Sequence, residues 1–102
     1  MHESPIFNVE EIAEALHERI GSAVQAAYVY GSVARGCRNA SDLDLLFVIS
    51  SKDQSGVFAA IADIQRRNEI LIHPTVVSPR ELQSNPLFQE LIDSSIVLWQ
   101  NA

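Results

Sequence analysis

Residues 31–50 read GSVARGCRNASDLDLLFVIS, and their reading decides the fold. The run LDLLFVIS is apolar almost throughout, as expected of a central strand covered on both faces. Two carboxylates, Asp42 and Asp44, stand at its mouth. A buried strand excludes unpaired charge because desolvation is expensive. Either these aspartates cap the strand in solvent or something positive sits among them. Upstream, AAYVY (26–30) is a short buried strand broken by Gly31-Ser32, VARG (33–36) is one or two helical turns, and CRNAS is a polar loop. Val33 to Ser41 is too short for a parallel crossover with a full helix, so the two strands are expected to be antiparallel neighbours.

The rest of the chain is laid around this pair. Asn8 and Glu11 resemble a capping pair, after which Ile12, Leu16 and Ile20 recur at helical spacing until Gly21. Beyond a turn at 51–56, Val57, Ile61 and Ile64 mark a second helix ending near Asn68. EILIHPTVV (69–77) reads as a third strand, and Pro74, lacking an amide donor, places it at an edge or bulge. Ser78-Pro79-Arg80-Glu81 is a capping box, Asn85-Pro86 opens a further short helix, and SIVLW is a fourth strand. The order predicts an α+β fold with α/β character: a small mixed sheet of about four strands with helices packed on it.

Composition bounds the function. The 102 residues fit one domain, 1–102, and a chain of this size buries roughly 60–70% of its unfolded surface. No apolar run approaches the ~20 residues of a membrane span, and the N-terminus is too acidic and polar for a signal peptide. The single cysteine, Cys37, cannot form an internal disulfide and fits a reducing cytosol; with no base near it in sequence it makes a poor nucleophile. A net charge of −6 argues against non-specific nucleic-acid binding. Glu3, Glu10, Glu11, Glu14 and Glu18 cluster before residue 20, either as a solvated helix face or as a docking surface for a basic partner.

The chemistry lies in two short motifs. Strand alternation points Asp42 and Asp44 to one face, their Cα atoms roughly 6.5–7 Å apart. Two such carboxylates can converge on one or two divalent cations, and hard oxygen donors favour Mg²⁺ or Mn²⁺. Gly31 lets the backbone approach a ligand closely, the amides that follow form an anion site, and the Ser32 hydroxyl adds a donor. A phosphate cradle beside a metal pair is the equipment of phosphoryl or nucleotidyl transfer. The positive charge among the aspartates is then a metal ion carrying a triphosphate.

At these residues GSVARGCRNASDLDLL resembles the G-S-x-A-R-G…S-D-x-D-L signature of the minimal nucleotidyltransferases of the DNA polymerase β superfamily. IHPTVVSPRELQSNPLFQELI is similar to the tail of one bacterial and archaeal branch. The resemblance implies a nucleotidyltransferase fold, with Gly31 and Ser32 holding nucleotide phosphates and Asp42 and Asp44 binding the metals. Arg35 matches too, as a phosphate contact or as a structural partner of a loop carboxylate, while Ser41 fits a turn. It implies transfer of a nucleoside monophosphate, AMP from ATP, to a protein or nucleic-acid acceptor with Mg²⁺ or Mn²⁺. It also implies a partner, a HEPN-domain RNase toxin or a further copy of the chain. The alternative is a catalytically weak or inactive nucleotide-binding antitoxin that neutralises such a toxin. One departure bears on this choice. Active members usually carry a third carboxylate on the next strand, where this chain has His73 or Thr75, with Glu69 of the same strand parity farther back.

Overall fold

A computed structural model of the chain describes residues 9–31, 34, 42–50 and 54–101. The predicted cap at Asn8, the helical turn at 33–36 apart from Ala34, Ser32, Arg35, Cys37 and Ser41 lie outside the described residues. Helix α1 (Val9–Ile20) is followed by β1 (Ala26–Tyr30), β2 (Asp42–Val48), α2 (Ser55–Asn68) and β3 (Leu71–Val77). Two short helices, α3 (Pro79–Ser84) and α4 (Pro86–Asp93), lead to β4 (Ile96–Gln100). The strands form one sheet in the order β3-β2-β1-β4. β1 runs antiparallel to both β2 and β4, whereas β2 and β3 are parallel, joined through α2. The mixed sheet, the antiparallel first pair and the edge position of the proline-bearing strand are as the sequence predicts.

Alternation along β2 divides its side chains between two cores. Leu43, Leu45 and Phe47 join Ile12, Leu16 and Ile20 of α1 and Val57, Ile61 and Ile64 of α2, all buried. Leu46 and Val48 face the other way, with Tyr28 and Val77, beneath the half-buried Leu82, Phe88, Leu91 and Ile92 of α3 and α4. Both short helices start as their prolines require. Ser78 accepts from the Glu81 amide while the Glu81 carboxylate accepts from the Ser78 amide, and Asn85 accepts from the Leu87 amide.

One detail departs from the sequence expectation, and another lies beyond what it addressed. β3 begins at Leu71, and Glu69 lies outside it as the left-handed cap of α2, with φ 52° and its amide on the Gln65 carbonyl. Glu69 therefore shares no strand face with His73. The pairing of β4 with β1 also slips by one residue between Ala27 and Tyr28. A bulge of that kind sharpens the local twist of an edge strand.

Candidate active site

The Asp42–Asp44 pair stands where three strands meet at one end of the sheet. β2 starts at Asp42, and both aspartates are half-buried while Leu43 between them is fully enclosed. Tyr30, the last residue of β1, pairs with Asp44. The chain then turns at Gly31 with φ 79°, a left-handed conformation that costs a side chain strain. A Cβ at Gly31 would run into the Asp44 carboxylate. The left-handed backbone favours glycine here, and any side chain would have to displace the Asp44 carboxylate. This gives a physical reason for the Gly31–Asp44 part of the motif.

The parallel register of β3 supplies the other wall. Leu71 pairs with Asp42 and His73 with Asp44. His73 places Nε2 3.1 Å from Asp42 Oδ2, and since a carboxylate accepts, the ring nitrogen donates. Both side chains are about half exposed, at 50% and 49%, so the contact is a solvent-facing one. His73 therefore stands beside both aspartates, on the strand next to theirs.

Sequence reasoning missed Tyr30 and Thr75 as a pair. Their hydroxyls lie 3.0 Å apart, bridging β1 and β3 across β2. Because Tyr30 pairs with Asp44 and Thr75 with Leu46, the bridge separates the carboxylates from the apolar cluster around Leu46. Parity alone places Tyr30 and Asp44 on one face, and the cross-strand register is what brings Thr75 to them. Leu71, half exposed on the same face, adds an apolar rim.

The donor set fits a hard divalent cation. Such ions are held by one or two carboxylates and complete their shell with water and substrate phosphates. Among the described residues there is no group of three or more His, Cys, Asp or Glu placed to hold a metal by themselves.

The match to a family model, "Polymerase beta, Nucleotidyltransferase", runs over residues 10–102. The chain belongs to the polymerase β nucleotidyltransferase family. No curated protein sequence matches it. Among solved structures, the chain is similar to a toxin–antitoxin protein crystallised with AMP-PNP, with a TM-score of 0.66 and 16% identity over 92% of this chain and 75% of that one. It is also similar to a chain of a MntA–HpeT toxin–antitoxin structure carrying two aspartate-to-glutamate changes two positions apart (TM-score 0.65, 17% identity, 93% and 75% covered). A third likeness is to a chain in a complex of a tri-AMPylated Shewanella oneidensis HEPN toxin with its MNT antitoxin (TM-score 0.59, 18% identity, 89% and 68% covered). Likeness at this identity is likeness of fold. The four-stranded mixed sheet described above is the nucleotidyltransferase fold.

Proposed function

We propose that this chain transfers AMP from ATP to a hydroxyl on a protein partner of the HEPN type, using Mg²⁺ or Mn²⁺. The observation that carries the reading is the Asp42–Asp44 pair with Gly31 pressed against Asp44. Asp42 and Asp44 would hold the cation, and the backbone leaving β1 at Gly31, with Ser32 next to it, would receive the phosphates; Arg35 is a candidate further contact. A bound cation would offset the negative charge that develops on the phosphate oxygens during transfer. The acceptor oxygen forms a bond to the α-phosphorus as the bond to the bridging oxygen breaks, and pyrophosphate departs with that electron pair. The hydroxyl proton passes to solvent or to a carboxylate of the site. A protein acceptor suits a net charge of −6 better than a polyanionic nucleic acid does. The similar structures whose names record an AMPylated HEPN toxin and a bound AMP-PNP support the same choice of partner and nucleotide.

A second reading, a nucleotide-binding antitoxin with slow or no turnover, is favoured by one observation. His73 takes the strand position beside Asp42 and Asp44, leaving the site one anionic ligand short of the pattern implied for active members. Both readings require metal-dependent nucleotide binding. ATP with Mg²⁺ should raise the melting temperature, corresponding to about 2.7 kcal/mol at a hundredfold excess over Kd. Asp42→Asn combined with Asp44→Asn should remove the metal-dependent part. A shift unchanged in that double variant would sink both readings.

A further inference from the structure

The opposite edge of the sheet carries a second surface. β4 is an edge strand, and among the described residues no strand pairs with its outer side. Its sequence, IVLWQ, contains neither the lysine nor the proline with which exposed edges are commonly blunted, and the bulge opposite Ala27 and Tyr28 is the one such device that it carries among these. Ile96 and Val97 are half exposed, at 50% and 51%. Helix α1 lies alongside, and between it and the strand runs an open groove of about 640 Å³ lined by Val9, Glu10, Glu14, Ile96 and Leu98. The groove continues past Glu18 to His17, whose ring packs edge-on against Trp99 at 5.0 Å. Glu10, Glu14 and Glu18, all exposed, form one stripe along α1 at four-residue spacing. Like charges at that spacing repel one another on a helix, so the stripe works against α1 taken alone.

We infer that this edge binds an extended basic segment of another protein, which adds to β4 as a fifth strand and places alternate arginines or lysines against Glu10, Glu14 and Glu18. The spacings match. Carboxylates four residues apart on a helix recur every ~6 Å along its axis, and alternate side chains of a strand recur every ~6.6–6.8 Å. The free edge of β4 offers backbone hydrogen bonds, the feature that strand addition uses for affinity. Arginine stems would cover Ile96 while their guanidinium groups reach the carboxylates. A second copy of this chain is a poor occupant, because pairing β4 with β4 would bring two acidic helices towards each other. The surface is independent of the Asp42–Asp44 site, from which β1 separates it.

A short fluorescein-labelled peptide of alternating valine and arginine tests this, with binding read by fluorescence anisotropy at low salt. Saturable binding is expected, weakened about tenfold or more by Glu14→Lys with Glu18→Lys. Peptide methylated on every backbone nitrogen should bind at least as much more weakly, because neither of its edges can then donate to β4. Hydrogen exchange at the β4 amides should slow in the complex, and thermal melts confirm that the variants are folded. The inference is overturned by absence of saturation at concentrations on the order of 1 mM. It is equally overturned by equal affinity for the methylated peptide, by indifference to the two charge reversals, or by binding that appears only when residues 1–8 are removed. Sedimentation as a dimer that Ile96→Glu disperses would assign the edge to a second copy and overturn it too.

Discussion

The two faces of the sheet are built from the same strands and do different work. Beneath α1 and α2, every β2 side chain on that face is fully enclosed: Leu43, Leu45 and Phe47 are 0% exposed. Beneath α3 and α4 the enclosed part is short, ending at Leu46, and beyond it stand Tyr30, Thr75, Asp44, His73 and Asp42. Neither short helix contributes a fully buried residue. One face is therefore given wholly to stability. The other is divided between a modest apolar cluster and an open polar end, with the Tyr30–Thr75 bridge at the division. Carboxylates can stand at the mouth of an apolar strand because only one of their strand's two faces must stay dry there.

Substitutions on the two faces should separate stability from chemistry. Phe47, packed 6.5 Å from Trp99 on the enclosed face, is the place for the largest loss of stability. Phe47→Ala should cost about 3–5 kcal/mol in denaturant unfolding through the cavity it leaves. A loss below about 1 kcal/mol would mean that this face is not the principal core.

His73→Asp acts on the open face and should move rate more than stability. It adds an anionic group beside Asp42 and Asp44, and general-base help is typically worth about 10²–10⁴-fold. AMP transfer to the partner should rise by roughly 10²-fold while the melting curve stays close to that of the unmodified chain. Brisk transfer by the unmodified chain that survives His73→Ala would show that the histidine leaves no gap.

Gly31→Ala should have the smaller effect, about 1–2 kcal/mol for a side chain in the left-handed region. Because the new Cβ meets the Asp44 carboxylate, metal-dependent nucleotide binding should weaken as well. Full binding in a folded Gly31→Ala variant would detach the glycine from the site.

Much of this contrast was legible in the residues. Alternation put Asp42 and Asp44 on one face, the apolar run that follows declared a strand buried on both sides, and Pro74 marked β3 as an edge or bulged strand, which the fold resolves as an edge. The Ser78 capping box and Asn85-Pro86 marked both short helices because capping is local chemistry. What could not be read was pairing between distant strands. Strand parity names a face without naming a neighbour, so the register that sets His73 against Asp42 and joins Tyr30 to Thr75 emerged only with the fold. Glu69 misled for a related reason. Its left-handed cap conformation is one that glycine or asparagine usually adopts, so nothing in its identity signalled that the strand begins two residues later.

If nucleotidyl transfer takes place at the open end of β2, the position of a label in ATP will reveal it. The chain is incubated with Mg²⁺ and a HEPN-type partner, in parallel with ATP labelled at the α-phosphate and ATP labelled at the γ-phosphate. The α-label alone should become covalently attached to the partner, pyrophosphate should be released, and Asp42→Asn with Asp44→Asn should abolish both. Attachment of the γ-label, or α-label transfer that persists in the double variant, would contradict nucleotidyl transfer at this site.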